Sequence, residues 1–156
     1  MNPKKAALAK TISNARARFD YELKDFYTAG LVLSGAETKI LRMGRGHLKG
    51  SFVTIKDGEL WLNNATINPS IINSAHLLPE TQTRARKLLV KKKEITQMLA
   101  AKDQGLTIVP TKLLTRGRFI KIEIATAKGK KKYDKRESIK QRDTGRDTAR
   151  ALKNFN

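Results

Sequence analysis

Apolar and polar residues alternate along several short stretches of this chain, as they do in strands that bury one face. The clearest stretch begins at residue 118, where Ile120, Ile122 and Ile124 alternate with Lys121 and Glu123. Successive side chains of a strand point to opposite faces, so this spacing places the isoleucines together on one side. We therefore predict a strand here with a buried isoleucine face.

A pair of strands joined by a tight turn is predicted in the middle of the chain. Residues 51–56 and 59–63 are rich in apolar and β-branched side chains, and Asp57-Gly58 separates them. An Asp-Gly pair accepts the positive φ angles that a two-residue hairpin turn requires. Residues 27–33 and 65–67 are further strand candidates.

The strand that follows residue 118 has a predicted partner on its N-terminal side. Residues 106–114 are mostly apolar or β-branched, and the turn 115–117 ends in a glycine. We expect these two segments to form a second hairpin. Pro110 has no backbone N–H, which predicts a sheet edge or a β-bulge at that position.

Two segments carry the signals of short helices. Residues 36–43 precede Gly44 and residues 91–102 precede Gly105, and a glycine after an apolar run typically ends a helix. The apolar residues of the second helix are spaced to share one face and are Ile95, Met98 and Leu99. Five or six short antiparallel strands with two or three short helices indicate a mainly β domain. We expect a small antiparallel barrel of the oligonucleotide-binding (OB) type.

Composition narrows the chemistry that the chain can perform. Apolar residues make up 39% of it and aromatic residues only 6%, so the core must rest on Leu, Ile, Val and Ala. The chain has no cysteine, which excludes a disulfide framework, a thiolate nucleophile and a zinc site built on sulfur. The two histidines, His47 and His76, lie far apart, so we expect no metal centre and no cofactor. No apolar run approaches the roughly 18 residues of a membrane span.

Positive charge is concentrated at the two ends of the chain. Lys and Arg number 33 against 14 Asp and Glu, a net charge of +19 on 156 residues. Residues 1–18 hold five basic and no acidic side chains, and residues 128–156 hold eleven basic and four acidic ones. We predict a basic N-terminal arm at 1–13, a folded body at 14–127 and a basic tail at 128–156. Because the tail has few apolar residues, it is expected to be disordered when free and ordered on its partner. The alternative for the N-terminal segment is a short organellar transit peptide.

This charge indicates a polyanionic partner, and nucleic acid fits better than an anionic membrane, because no basic amphipathic helix stands out. The densest internal cluster is residues 84–93, with six basic side chains before or on the second helix. Glu80 and Glu94 only bracket this run, so mutual repulsion favours a phosphate backbone as its neutralising partner. A solvated helix face is the alternative.

No catalytic constellation is evident. Residues 44–50 superficially resemble a phosphate-binding loop but lack the Walker pattern and its strand-to-helix context, so a turn is the better interpretation. Asp20, Glu22 and Asp25 are better explained as solvated carboxylates than as an acid–base pair. We therefore expect a binding protein and not an enzyme.

Four stretches of the chain carry a recognisable pattern. They are Asn14-Ala-Arg-Ala-Arg-Phe-Asp-Tyr21, Ala29-Gly-Leu-Val-Leu-Ser-Gly35 with Glu37 and Lys39, Arg84-Ala-Arg-Lys-Leu-Leu89, and Ala127-Lys-Gly-Lys-Lys-Lys-Tyr-Asp-Lys-Arg-Glu137. In their order and spacing, these stretches resemble the SsrA-binding protein family, also called small protein B. The last stretch is the most specific, because a generic basic tail does not reproduce it. The sequence departs from the family pattern at Thr28, where the family commonly has Glu, at Ala15, and in the loop 44–50.

The resemblance implies a non-enzymatic partner of bacterial transfer-messenger RNA. Such proteins hold the tRNA-like part of that RNA on an OB-type barrel and bring it to a ribosome stalled without a codon. The body replaces the missing anticodon arm, the tail lies along the empty messenger path, and the nascent chain is tagged for proteolysis. The implied partners are transfer-messenger RNA, the small-subunit decoding region and messenger path, and the elongation factor that carries the charged RNA. A cytoplasmic monomer with no membrane contact is implied as well.

The resemblance also assigns individual residues to these partners. The positions implied to hold RNA are Asn14, Arg16, Arg18, Arg84, Arg86, Lys87, Leu89, Lys128 and Lys130. Leu88 belongs to the same segment, 86–89. The positions implied to contact the ribosome are Phe19, Lys131, Tyr133, Asp134, Lys135 and Arg136. Phe19 stands where the family often has His, and an aromatic ring there still allows stacking on a base.

Two other functional classes remain open from the residues alone. A ribosomal or assembly protein of similar charge predicts stable residence in ribosomal subunits. A nucleic-acid-modifying enzyme requires a cofactor loop or a catalytic cluster, and the sequence offers neither.

Overall fold

The structure, a computed structural model, describes residues 11–68 and 79–154. Within these ranges the strands are β1 (Ile12–Ser13), β2 (Tyr21–Leu31), β3 (Gly46–His47), β4 (Phe52–Lys56), β5 (Glu59–Asn63), β6 (Thr66–Ile67), β7 (Arg86–Leu89), β8 (Thr107–Leu114) and β9 (Lys121–Gly129). The helices are α1 (Ala15–Asp20), α2 (Gly35–Arg42), α3 (Lys92–Asp103) and α4 (Lys132–Asn154), with a 3₁₀ turn at Pro79–Thr81. Residues 1–10 of the predicted basic arm and His76 lie outside the described residues.

Seven of the strands form one antiparallel sheet in the order β1-β8-β9-β2-β7-β5-β4, and β3 pairs separately with β6. The prediction of a mainly β fold is confirmed. The predicted barrel closure is not observed, because no ladder joins the edge strands β1 and β4 in the described ranges. The sheet nevertheless curls, since β4 approaches β8 across the open side.

The core lies on the inner face of this curled sheet, and the predicted isoleucine face is part of it. Ile120, Ile122 and Ile124 are buried while Lys121 is exposed, which confirms the alternation. The alternation then stops, since residues 125–127 are all buried. The reason is that α1 packs on the outer face at this end of the sheet. Ala17 of α1 forms a second small core there with Val109 of β8 and Ala127 of β9.

Both hairpins have the predicted form. β4 and β5 pair across Asp57 and Gly58, whose φ angles are +52° and +73°, as the tight turn requires. β8 and β9 form the second hairpin, with a register shift between Pro110 and Lys112 that confirms the predicted bulge. Thr111 lies inside this bulge and takes no part in the residue pairing with β9. Its backbone carbonyl accepts a hydrogen bond from the backbone N–H of Asn14 at 2.7 Å.

The two predicted helices are present with ends shifted by one residue. In α2, the Ser34 hydroxyl accepts from the Glu37 N–H and the Glu37 carboxylate accepts from the Ser34 N–H, a reciprocal cap. Gly44 and Gly105 adopt positive φ after α2 and α3, as predicted. The predicted apolar face of α3 is only partly correct, because Met98 is buried whereas Leu99 is 41% exposed.

The C-terminal tail differs most from its prediction. Residues 132–154, expected to be disordered in the free protein, form a 23-residue helix in which no residue is buried. Its start is capped by the Asp134 carboxylate, which accepts from the Lys131 N–H at 3.2 Å. Acidic residues also lie three positions before basic ones at Asp143–Arg146 and Asp147–Arg150, a spacing that supports a helix without a core. In the described ranges, no helix combines the length and apolarity needed to cross a membrane.

Candidate nucleic-acid interface

One basic surface forms where α1 meets the start of the tail. Arg16 and Arg18 are exposed on α1, and Lys130 follows the end of β9. The Lys130 Nζ donates to the carbonyl of Arg18 at 3.1 Å, and its backbone N–H donates to the carbonyl of Asp20 at 2.9 Å. The fold therefore joins candidate residues from the two ends of the chain into one surface. Since β9 continues to Gly129, Lys128 belongs to the sheet and not to the tail as predicted.

Asp20 holds this surface together. Its carboxylate forms ion pairs with Arg16 and with Lys135 of α4, each at 3.1 Å. Burial raises the pKa of the Asp20 carboxyl, but hydrogen bonds from Lys135 and Arg16, and the charges of both, outweigh this and keep the pKa below its ordinary value. Asp20 therefore stays ionised and fixes the first turns of α4 against α1. Lys135, a predicted ribosome contact, is engaged here in the free protein.

A cleft of about 620 Å³ opens beside α1, where β4 approaches β8. Its walls include Arg16 and Lys49, and the ring of Phe52 is half exposed at its edge. Cationic groups around an exposed ring suit a phosphate backbone with an unstacked base. Sequence reasoning missed Lys49 and Phe52, because only the curl of the sheet brings them to α1.

Asn14, predicted to hold RNA, is mostly buried. Its side-chain amide donates to the carbonyl of Pro110 at 2.9 Å. Together with the hydrogen bond from its backbone N–H to the Thr111 carbonyl, this contact ties the start of α1 to the bulge of β8. Asn14 thus positions the neighbouring arginines, at the wall of the cleft beside α1.

The predicted cluster at residues 84–93 contains a buried ionic centre. Glu37 is fully buried and accepts hydrogen bonds from Arg84 at 2.8 and 2.9 Å and from the Arg86 Nε at 3.0 Å. A second guanidinium nitrogen of Arg86 lies 2.9 Å from the carboxylate in an ion pair. The Arg86 guanidinium also donates to four backbone carbonyls, those of Ala65, Thr81, Gln82 and Arg84. Every buried side-chain polar atom in the described ranges has a hydrogen-bond partner, so this centre is fully satisfied.

The pKa of each partner reflects the balance in this centre. Burial raises the pKa of the Glu37 carboxyl, but hydrogen bonds from Arg84, the Ser34 backbone and Arg86, together with the charge of Arg86, bring the pKa below its ordinary value. Burial lowers the pKa of the Arg86 guanidinium despite the opposing influence of Glu37. Both groups remain charged at neutral pH.

Arg86 lies beneath the surface. No part of it reaches solvent in this conformation, and its predicted role in holding RNA stays a prediction. The premise that the cluster lacks neutralising acids is wrong, because Glu37, 49 positions before Arg86 in the sequence, pairs with it. The capping pattern Ser34–Glu37 locates Glu37 at a helix start, but nothing local in the sequence indicates its arginine partners.

The rest of the cluster faces outward. Lys87 pairs with Glu59 of β5, Leu89 is 54% exposed on the outer face of β7, and Arg84 is partly exposed. At the start of α3, Lys91, Lys92 and Lys93 are exposed, and within the described ranges none of the three forms an ion pair. The predicted cluster therefore consists of two parts, the buried ionic centre and a row of exposed lysines at the start of α3.

The predicted ribosome contacts lie along the start of α4. Lys131, Tyr133, Asp134 and Arg136 are exposed, and the Tyr133 side chain is 73% exposed. Phe19 is half-buried at the end of α1. In the described part of the chain, no group of three or more His, Asp or Glu residues could hold a metal ion.

Comparisons with known proteins find relatives of this chain. Residues 11–154 match the family model described as SmpB protein. The chain is 45% identical over 144 residues to the SsrA-binding protein of Streptococcus mutans, covering 92% of each chain. It is 46% identical over 144 residues to the SsrA-binding protein of Bacteroides thetaiotaomicron, covering 91% of this chain and 95% of the relative.

A solved structure is similar as well. It is described as "tmRNA-SmpB: a journey to the center of the bacterial ribosome", and a chain in it superposes with a TM-score of 0.66 at 38% identity. The match covers 83% of this chain and 94% of the solved one.

Proposed function

This chain belongs to the SmpB family of SsrA-binding proteins, and from that membership and its basic surfaces we propose its function. It binds the tRNA-like domain of transfer-messenger RNA and delivers that RNA to stalled ribosomes for trans-translation. The nascent chain is then tagged for proteolysis. The protein acts by binding, in the cytoplasm and as a monomer, and the RNA supplies the reading frame.

The observation that carries this proposal is the union of α1 with the base of the tail. Cations from both chain ends form one surface, and Asp20 locks the tail helix to it. A protein that holds an RNA on its body and inserts a basic helix into a second partner requires a fixed connection between body and helix. A protein that binds RNA through its body alone does not require that connection.

We assign the RNA contacts on the body to two surfaces. The first consists of Arg16, Arg18 and Lys130 with Lys49 and Phe52 at the cleft. The second consists of the exposed groups around β7, which are Arg84, Lys87, Leu89 and the lysines 91–93. Lys128, exposed at the end of β9, extends the first surface. Asn14 and Arg86 serve as positioning residues beneath them.

We assign ribosome contact to the tail and to the end of α1. Phe19, Lys131, Tyr133, Asp134, Lys135 and Arg136 are the residues concerned. The exposed helix α4 enters the empty messenger path, where phosphates neutralise its basic side chains. The curled sheet is interpreted as an OB-type barrel that is open between β1 and β4. The body then comprises residues 12–131. It is longer than the sequence predicted by strand β1 at its start and by two strand residues and a two-residue linker at its end.

The test is to recover the full chain from cells and sequence the RNA that accompanies it. Transfer-messenger RNA is the expected species, enriched over ribosomal RNA after subunits are removed at high magnesium. A variant with Arg16→Ala and Arg18→Ala should recover much less, whereas Lys56→Ala, an exposed lysine at the far hairpin, should recover as much as the parent. Recovery of ribosomal RNA alone would favour a resident ribosomal protein instead.

A further inference from the structure

The connection between β8 and β9 is an arginine-rich loop to which the proposed function assigns no role. It runs from Thr115 to Ile120, and both end residues are buried in the body. Between them, Arg116, Arg118 and Phe119 are exposed. The loop contains no acidic residue, so it presents only positive charge around an aromatic ring.

The backbone of this loop is held in place by one side chain. The guanidinium of Arg42, in the last turn of α2, donates to the carbonyl of Gly117 at 3.0 Å and to that of Arg118 at 2.9 Å. A longer contact of 3.4 Å reaches the carbonyl of Thr115. Gly117 has a φ of +96°, which favours glycine over residues with a Cβ atom. A loop fixed in this way loses little conformational freedom when a partner binds.

The side chains at the tip of the loop are available for a partner. The ring of Phe119 is 67% exposed, compared with 49% for Phe52 at the cleft. The Arg118 guanidinium carbon lies over this ring, 5.5 Å from its centroid, within the range of a cation–π contact. Neither Arg116 nor Arg118 has an acidic partner among the residues that the structure describes. Their charges are therefore not neutralised within the fold.

We infer that this loop is a separate RNA contact, in which Phe119 stacks on an unpaired base while Arg116 and Arg118 pair with adjacent phosphates. One exposed phenylalanine alone is ordinary on a protein surface. An exposed ring beside arginines that have no acidic partner, on a fixed backbone, matches the stacking sites of proteins that bind single-stranded nucleotides. The absence of acidic groups favours RNA over a protein partner. The inference rests on the proposed function, because it takes the partner to be an RNA of that pathway.

The loop contacts a different part of the partner from the surface at α1. Gly129, beside that surface, and Lys121, next to the loop, lie at opposite ends of the nine-residue strand β9. At about 3.4 Å per residue, the strand separates the two contacts by roughly 25 Å. A single-stranded loop of transfer-messenger RNA and an exposed base of ribosomal RNA share the chemistry required. The experiment must therefore separate these two sources.

The test measures the affinity of the full chain for purified transfer-messenger RNA and, separately, for purified ribosomes. The variant Phe119→Ala removes the ring and Phe119→Tyr keeps it. Phe26→Ala is the matched control, since Phe26 is 50% exposed but lies on β2, away from the loop. Loss of one stacked base should raise the Kd of Phe119→Ala by about 5- to 150-fold. Phe119→Tyr and Phe26→Ala should bind as the parent does.

A loss of affinity for transfer-messenger RNA assigns the base to that RNA, and a loss confined to ribosomes assigns it to ribosomal RNA. Unchanged affinity in both assays overturns the inference. This comparison requires that Phe119→Ala unfolds at the same temperature as the parent. If its unfolding temperature is lower, the photoreactive residue p-benzoylphenylalanine replaces Phe119 instead. A crosslink to RNA then supports the contact, and a crosslink only to protein overturns it. A parent chain that fails to bind transfer-messenger RNA contradicts the proposed function, while the ribosome assay and the crosslink still test the loop.

Discussion

The ionic centre around Glu37 and the tail helix α4 use the same charged residue types in opposite ways. In the centre, the charges of Arg86 and Glu37 are withdrawn from water, and every donor and acceptor is satisfied. Along α4, no residue is buried and only Lys135 pairs with the body among the residues described. The centre is complete within the chain, whereas the tail has charges that only a partner can neutralise.

This difference separates two roles of a basic residue in an RNA-binding protein. A buried cation specifies the fold, because removing its counter-ion leaves an uncompensated charge in a medium of low polarity. An exposed cation adds little to folding and gains its interaction energy on binding. Mutations in the two regions should therefore change different measurements.

Removing the tail should have the largest effect, and it should be confined to function. A chain that ends at Lys131 keeps all the described strands and the contacts of Lys130, but loses eight basic and four acidic residues. We expect it to fold, to bind transfer-messenger RNA somewhat less tightly, and to lose peptide tagging on stalled ribosomes. The matched variant Asp134→Ala with Arg136→Ala keeps the net charge. Full tagging by this double variant would mean that the tail acts through charge alone.

Neutralising Glu37 should affect folding most. In Glu37→Gln, the charge of Arg86 remains buried without its counter-ion, and the free energy of unfolding should fall by about 3–5 kcal/mol. Glu59→Gln removes the carboxylate of a pair exposed on the sheet surface and should change stability by about 0–1 kcal/mol. Urea unfolding followed by circular dichroism measures both. Equal losses would remove the distinction between the two regions.

A substitution in the apolar core gives a stability loss with which the effect of Glu37→Gln can be compared. Ile122 is fully buried at the middle of β9, so Ile122→Ala should lower the free energy of unfolding by about 2–5 kcal/mol. Lys121 is its exposed neighbour, and Lys121→Ala should have little effect on the same measurement. Similar values for these two variants would contradict the register of β9.

Acid should weaken the centre in a predictable direction. The folded pKa of Glu37 lies below the ordinary value of 4.5, so its contribution to stability is present above that value. It is lost as the pH falls through the lower folded pKa. The parent should therefore lose stability more steeply than Glu37→Gln in this window, as measured by urea midpoints at a series of pH values. Parallel curves would show that Glu37 has no role in the acid response.

Releasing the tail from the body should have the smallest effect on stability. Asp20→Asn removes both ion pairs at the base of α4, which are partly exposed and worth about 1 kcal/mol or less. Hydrogen exchange of the first turns of α4 should become faster while exchange in β9 stays unchanged. Asp25→Asn is the control, because Asp25 is exposed and forms no ion pair in the described ranges. Unchanged exchange near Lys135 would mean that Asp20 does not hold the tail.

The local elements of this fold could be predicted from the sequence because their signals are local. The turn at Asp57-Gly58, the alternation around Ile122 and the stops at Gly44 and Gly105 each depend on a few neighbouring residues. The helix α1 was not predicted, because its six residues are too few to show a period and packing against β8 stabilises it. The tail was predicted to be ordered only on a partner, because its sequence has few apolar residues to stabilise a helix in the free protein.

The candidate site was predicted less completely, since its groups pair over long distances in the sequence. The exposed Arg16 and Arg18 and the partly exposed Lys130 were named from the resemblance, and the structure places them on one surface. The burial of Arg86 depends on Glu37, which belongs to a different element. The distribution of charges along the chain does not reveal that pairing. The positions of Phe52 and Lys49 beside α1 could not be predicted either, because they too depend on contacts between distant parts of the sequence.

The tail helix also has a mechanical consequence. Its 23 residues, at about 1.5 Å each, make a stiff arm roughly 35 Å long, and among the residues that the structure describes its ion pair with the body is at Asp20. Any rotation at that pivot is magnified along the arm, so a tilt of about 10° moves the far end by roughly 6 Å. That displacement exceeds one turn of helix. A small adjustment beside α1 can therefore redirect the tip of the protein by several ångströms.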